Sequence, residues 1–289
     1  MSPDSNIVIP IEIVNGRSPG MVLCITAAIH GNELNGIEVI RRLLHAIDPK
    51  KLTGTIVAIP IVNQEGFQNG TRCLADHADL NRNFPGSRDG SYSQRVAHTL
   101  FSKIICKCDA LVDIHTGTEG RDNLPQIRVD LSMVGNRALA DGARPIAIMQ
   151  KTAPAGSLRA AASDLGIPAI VMEIGSSNAI APKRVKTGVQ CLRTLLNFLK
   201  MIQGSCPNDD PQPYFYGGGW VRAEAAGTFI SSAKLGKEVR AGEVLGKIHD
   251  HQTHKTYVVT APARSIILTR LQNVHVHSGM KLFRLGIKE

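Results

Sequence analysis

At 289 residues, with 43% hydrophobic and 20% charged residues, the chain has the make-up of an ordinary globular protein, long enough for one large domain or a medium one with a small companion. Its formal charge of +9 raises nucleic-acid binding, but the Lys and Arg residues are dispersed, none form a run of five, and aromatics reach only 4%. That pattern argues against a nucleic-acid partner and suits a small anionic ligand better.

No apolar run is long enough to cross a bilayer, so no membrane partner is expected. Met1 to Ile11 lacks a basic n-region, which makes a cytoplasmic location the expectation. The scattered cysteines read as free thiols of a reducing compartment; Cys106 and Cys108 form a Cys-x-Cys that lacks the second pair of a metal site.

In chain order, Ile7 to Val14 and Met21 to Ile29 read as strands. Glu33 to Ala46 carries Leu34, Ile37, Ile40, Leu43 and Leu44 at helical spacing. Thr55 to Val62 is a β-branched apolar strand, Ser91 to Lys107 a helix, and Ala110 to Ile114 a short buried strand. Arg144 to Met149 and Pro168 to Ile174 repeat the strand pattern, and a long helix is predicted over Pro182 to Gln203. Apolar strands interleaved with helices predict an α/β fold, with a mostly parallel or mixed sheet flanked by helices. Ser205 to Pro213 is polar and proline-rich, as a linker would be. Beyond it come short, glycine-punctuated strands. Residues 1–205 and 214–289 are therefore expected to form an α/β catalytic domain and a small C-terminal all-β domain.

The chemistry concentrates in four places. In Ala27 to Gly36, His30 ends an apolar strand, Gly31 permits a turn, and Glu33 opens the next helix. Ligands collect at the carboxyl ends of strands in open α/β sheets, so an imidazole and a carboxylate here can converge on one ion. His115 ends the strand Ala110 to Ile114 and is the candidate third ligand. Two histidines and one carboxylate, with a fourth position open, make the donor set of a catalytic zinc. The competing reading is a pair of hydrogen-bonded turn histidines. The polar run Asp79 to Gly86, with Arg72 upstream, combines groups suited to holding a carboxylate; a solvated turn is the alternative. Glu173 interrupts an apolar strand near its end, where a carboxylate needs a cleft or a partner. It reads as a general base or as half of a buried salt bridge.

Together these motifs resemble the succinylglutamate desuccinylase/aspartoacylase family, relatives of the zinc carboxypeptidases. The resemblance runs from about Ala27 to Gly175 and rests on HGNE (His30 to Glu33), the stretch from Asn69 to Gly86 ending in DLNRNFPG, DIHTG (Asp113 to Gly117) and MEIG (Met172 to Gly175). The tail, with GGGW and LGKEVRAGEVLGKI, looks like the β domain of the family's predicted-deacylase branch, without the exposed hairpin lysine of a lipoyl carrier.

The resemblance implies one zinc ion on His30, Glu33 and His115. It makes Glu173 the residue that takes a proton from the attacking water and passes it to the leaving amine. Arg72 would polarise the scissile carbonyl, Asn81 and Arg82 would grip a substrate carboxylate, and Asp79 would orient His30. The implied reaction is hydrolysis of the amide bond in a small N-acyl amino acid or N-acylated amine. The sequence does not fix the oligomeric state; a homodimer is compatible with it. A peptide-cutting carboxypeptidase and a non-catalytic binder of small carboxylates are the rivals. One departure stands out: Asn63 is followed by Gln64-Glu65-Gly66 where family members often carry proline, which touches the loop bearing Arg72.

Overall fold

The structure is a computed structural model that describes residues 8–204 and 214–288. The expected linker, Ser205 to Pro213, and Ile7 of the first expected strand lie outside the described residues. The first part of the chain runs β1 (Glu12–Asn15), β2 (Ser18–Ala27), α1 (Asn35–His45), β3 (Thr53–Ile59), α2 (Gln64–Asn69), α3 (Tyr92–Lys103), β4 (Ala110–Gly117), β5 (Arg121–Val129), α4 (Val134–Gly142), β6 (Ala147–Gln150), α5 (Leu158–Asp164), β7 (Ala169–Ser176) and α6 (Pro182–Phe198).

The sheet centre is β3-β2-β4-β7, all parallel, with β1 antiparallel on the outer edge and β5 antiparallel on the other side of β7. The sheet is thus mixed. Only residues 118–120 separate β4 from β5, too few for a crossover, so the chain must reverse direction there. Two apolar layers cover the parallel strands. One packs Val39, Ile40 and Leu43 of α1 and Val185, Leu192 and Leu195 of α6 against Leu23, Ile25, Val112 and Ile114. The other packs Val96, Leu100 and Phe101 of α3 and Leu158 of α5 against Cys24, Val57 and Leu111. Burial on both faces explains why these strands read as continuous apolar runs rather than alternating ones.

The second part comprises β8 (Tyr214–Tyr216), β9 (Trp220–Arg222), β10 (Gly227–Ser231), β11 (Glu238–Val239), β12 (Val244–His249), β13 (Thr256–Thr260), β14 (Ser265–Leu271), β15 (His275–Val276) and β16 (Lys281–Lys288). Strands β13-β12-β10-β15 make a separate antiparallel sheet. The others extend the main sheet in the order β6-β8-β16-β14-β11, with β9 also on β16. Strand β14 then pairs back onto β5, Thr269 opposite Asn123 and Leu271 opposite Arg121. Strands β5, β6, β8, β16 and β14 therefore close a ring that joins the C-terminal region to the wall of the α/β part. Ala147 and Met149 share a small buried cluster with Phe215 and Leu268 across that junction.

Candidate metal centre and active site

His30 and Glu33 converge because the backbone folds tightly between them: Glu33 N donates to His30 O at 3.0 Å. Helix α1 starts only at Asn35, so Glu33 belongs to this turn and not, as its pattern suggested, to the helix. Gly31 is required by close approach; a Cβ there would lie 1.9 Å from the carbonyl carbon of Gly66. His115 lies at the carboxyl end of β4, level with Glu173 on the neighbouring β7. All three predicted ligands are buried, and one donor atom from each lies within 4.8 Å of the others. Among the described residues no other group of His, Cys, Asp and Glu meets in this way. Cys106 and Cys108 instead donate to the backbone oxygens of Ser102 and Ile104.

The hydrogen-bond pattern tests whether this set fits a cation. His30 Nε2 lies 3.1 Å from Asp79 Oδ1, and His115 Nε2 lies 2.8 Å from Asp113 Oδ2. Each Nε2 can donate to its carboxylate. Both Nδ1 atoms face Glu33, that of His30 at 2.9 Å from Oε1 and that of His115 at 2.9 Å from Oε2. With Nε2 protonated, a buried Nδ1 beside a carboxylate oxygen needs a positive charge between the two. That charge is a proton or a metal ion, and a His-Glu-His set with carboxylate-braced histidines is one that a divalent metal such as zinc can take.

The protonation equilibria carry the same signature. Burial lifts the Glu33 carboxyl, but the neighbouring His30 and His115 outweigh it and hold it below the usual range. Burial lowers His115, yet the charges of Asp113 and Glu33 raise it well above its ordinary value. Asp79 behaves like Glu33: burial raises it, and His30 and Arg72 bring it down.

The remaining predicted residues lie in one cavity with the triad, of about 340 Å³. Arg72 donates Nη2 to Asp79 Oδ2 at 2.9 Å and Nη1 to Glu33 Oε1 at 3.4 Å. The departure after Asn63 proves to be helix α2. Asn63 caps it through Gly66 N and donates to Arg72 O at 3.2 Å, while Glu65 accepts from Ala75 N and from the Tyr92 hydroxyl, so the Arg72 loop is anchored at several points. Asn81 accepts from Leu158 N at 2.8 Å through its amide oxygen, and its Nδ2 lies 3.5 Å from His115 Nε2. Arg82 donates Nη1 to Asn81 O and also lines the cavity.

Glu173 is buried and bound at both oxygens: Arg128 Nη1 donates to Oε1 at 2.5 Å and Asn123 Nδ2 to Oε2 at 2.7 Å. The salt bridge and the cleft thus occur together. A carboxylate has about four lone-pair positions, so two such bonds leave acceptor capacity facing the cavity.

Sequence reasoning missed several residues here. Asp113 stands in the quoted DIHTG motif, but its inward face was not visible from the pattern. Thr26 Oγ1 donates to its second oxygen at 2.7 Å and fixes it toward His115. Arg159, from the first turn of α5, is 3% exposed, lines the cavity, and has no partner for Nη1. Burial and the nearby Arg128 pull its guanidinium down to about 10. Lys151 and, from the C-terminal region, Trp220, Thr269 and Lys281 complete the lining. Seven Arg and Lys side chains line the cavity against two glutamates.

The chain is similar to several known proteins. The succinylglutamate desuccinylase/aspartoacylase catalytic domain matches residues 19–202. N-alpha-acetyl-L-2,4-diaminobutyric acid deacetylase of Halomonas elongata is 26% identical over 257 residues, covering 84% of this chain and 75% of that protein. Among solved structures, a succinylglutamate desuccinylase/aspartoacylase from Rhodobacter sphaeroides superposes with a TM-score of 0.87 at 23% identity, covering 97% of this chain and 90% of the other. The product-bound ectoine utilization protein EutE (DoeB) of Ruegeria pomeroyi gives 0.87 at 21% identity, with 97% and 89% covered. With more than half its length matched, the chain belongs to the succinylglutamate desuccinylase/aspartoacylase family.

Proposed function

We propose that this protein is a zinc-dependent deacylase, kin to the zinc carboxypeptidases, that hydrolyses the amide bond of a small N-acylated amino acid. The observation that carries the reading is the convergence of His30, Glu33 and His115, both Nδ1 atoms turned on Glu33 and each histidine braced at Nε2 by a carboxylate. His30, Glu33 and His115 would hold the ion. When bound, zinc supplies Lewis acidity and brings the pKa of water to about 7.

The chain's own residues supply the rest. Glu173, level with His115 on the next strand, takes the proton from the attacking water and returns it to the departing nitrogen. Arg128 and Asn123 hold its carboxylate in place. Arg72 stands beside Glu33 and Asp79 with part of its guanidinium toward the cavity, where it can steady the oxyanion. Arg159, with Nη1 free of protein partners, and Arg82 can receive the substrate carboxylate, with Asn81 offering Nδ2.

A volume of about 340 Å³ suits a small molecule rather than a peptide, which argues against the carboxypeptidase alternative. A non-catalytic binder would need Arg82 and Arg159 but not Glu173. The Halomonas elongata relative, named for an acetylated diamino acid, supports an N-acyl amino acid as the substrate type. Cys24, Cys73, Cys106, Cys108 and Cys191 are all unpaired, in keeping with a cytoplasmic setting. Among the described residues no helix is long and apolar enough to cross a membrane.

The test is a screen of N-acyl amino acids with zinc-loaded protein, run beside Glu173→Gln. The expected result is amine release by the wild type and a loss of at least about 100-fold in the variant with zinc still bound. Full turnover in Glu173→Gln would remove Glu173 from the mechanism.

A further inference from the structure

Glu173 stands where the sheet is least regular. Against β4, the register runs from His115 opposite Glu173 to Gly117 opposite Ser176, so β7 carries an extra residue there. Against β5, it runs from Asn123 opposite Gly175 to Gln126 opposite Glu173, and the extra residue is on β5. Irregularities of this kind re-aim side chains beside active sites, but they also interrupt the ladder that would hold the strand. Arg128 and Asn123 grip the Glu173 carboxylate from the β5 side. The backbone beside it needs a hold of its own.

Asn35 supplies that hold. It is fully buried at the start of α1, just after the turn that ends in Glu33, and both ends of its amide are used. Nδ2 donates to the carbonyl oxygen of Ile174, the residue after Glu173, at 2.9 Å. Oδ1 accepts from Ala181 N, immediately ahead of α6, at 2.8 Å. Asn35 is not among the residues that line the cavity, so it can act on the chemistry only through others.

Its own footing is firm. A Cβ at Gly36 would lie 2.7 Å from Ala27 Cβ and 3.0 Å from Ile114 Cγ2, so the first turn of α1 is wedged against β2 and β4. The turn before it closes through Glu33 N and His30 O. The other end is equally close: Gly175 has a φ of +74°, and a Cβ there would lie 3.0 Å from Asn35 Nδ2. A second tie, Asn178 N to Asn32 O at 2.8 Å, joins the same two segments farther from Glu173. Of these segments the ligand turn is wedged in place, whereas the end of β7 sits in a broken ladder. Loss of the Asn35 bond would therefore move the base and leave the metal ligands where they are.

We propose that Asn35 is a positioning residue that sets the separation of the general base Glu173 from the metal ligands, by tying the end of β7 to the turn that carries His30 and Glu33. The proposal rests on the deacylase reading for its reaction and on this bond for its geometry. A base misplaced by about 1 Å costs on the order of 100-fold in rate, because the proton must be met within hydrogen-bond reach.

Asn35→Asp and Asn35→Ala separate this role from a merely structural one. Aspartate keeps the shape and the acceptor for Ala181 N but sets an oxygen against Ile174 O, and alanine removes both bonds. With zinc-loaded protein and an N-acyl amino acid, we expect kcat to fall by about 100-fold in each variant, with KM and zinc affinity within about threefold of wild type. In a Glu173→Gln background the base is already gone, so adding Asn35→Ala should lower kcat by less than about threefold, as for residues that act as a unit. Wild-type kcat in Asn35→Asp, a full second loss in the double variant, or a loss that falls on KM or zinc affinity would overturn the proposal. So would failure of both variants to fold. Crystal structures of the metal-free wild type and Asn35→Asp read the geometry without turnover. The Glu173 carboxylate should shift relative to Glu33 by at least about 0.5 Å, and an unmoved carboxylate overturns the proposal. If the wild type cleaves no substrate the deacylase reading fails, and these structures alone then decide whether Asn35 places Glu173.

Discussion

Replacing Asp113 by asparagine keeps the side chain's size and removes its charge, which isolates what that carboxylate does for the metal centre. In the wild type, Asp113 Oδ2 accepts from His115 Nε2 at 2.8 Å and Oδ1 accepts from Thr26 Oγ1 at 2.7 Å, in a fully buried setting. Asparagine can turn its oxygen to His115 and its NH2 to Thr26, whose hydroxyl can rotate to accept, so the fold is retained. What changes is the acceptor. A hydrogen bond to a charged group contributes about 1.5–3 kcal/mol and a neutral one about 0.5–1.5 kcal/mol, a difference of roughly 1–1.5 kcal/mol. That loss falls on the basicity and aim of His115 Nδ1, and so on metal affinity. It corresponds to about a 10-fold weaker Kd for zinc, at the low end of the 10- to 100-fold usual for such outer carboxylates. Competition against a chromophoric chelator measures it directly, with the thermal midpoint of the metal-free protein as a control for folding. Zinc affinity within twofold of wild type, in a folded variant, would refute the claim that Asp113 sets His115 for the ion.

Two further outcomes follow from the cavity and the ring. Lys151 faces Arg128 on β5, Arg159 on α5, Arg284 on β16 and Glu173 on β7, and titrates near 8. Its positive charge is lost as pH rises through that value, so KM for a carboxylate-bearing substrate should climb above about pH 8 in the wild type and stay flatter in Lys151→Met, as a KM–pH profile would read. Truncation after residue 213 strips β5 and β6 of partner strands and removes Phe215 and Leu268 from their shared cluster, at about 1.5–3 kcal/mol per buried side chain. Against a total stability of about 5–15 kcal/mol, this should abolish cooperative melting, as circular dichroism would show.

The sequence made His30, Glu33 and His115 legible because each ends or follows an apolar run beside glycine, where a polar side chain needs a reason to be there. The parallel strands were readable for the same cause: buried on both faces, they are plain apolar stretches. Strand β5 was not. Its segment RDNLPQIRV turns Arg121, Asn123 and Arg128 into the cavity and breaks register between Asn123 and Gln126, so neither apolar period nor alternation survives. Helix α5 was lost because seven residues give too short a pattern, and Arg159 went with it. Glu33 was assigned to helix α1 because hydrophobic spacing marks a buried face and not the residue at which a turn hands over to a helix. Trp220 and Lys281 could not be tied to the site at all, since only the pairing of β14 with β5 and of β16 with β8 and β9 carries them there.

The closed circuit of β5, β6, β8, β16 and β14 bears on how molecules come and go. A wall stitched by backbone ladders on both sides has no hinge about which to swing, and opening it would mean breaking sheet. This wall is therefore expected to stand still while a ligand enters, leaving any movement to the loops that line the rest of the cavity. Rebuilding the lining around Trp220 would then retune the choice of guest while leaving the bond-breaking apparatus at rest.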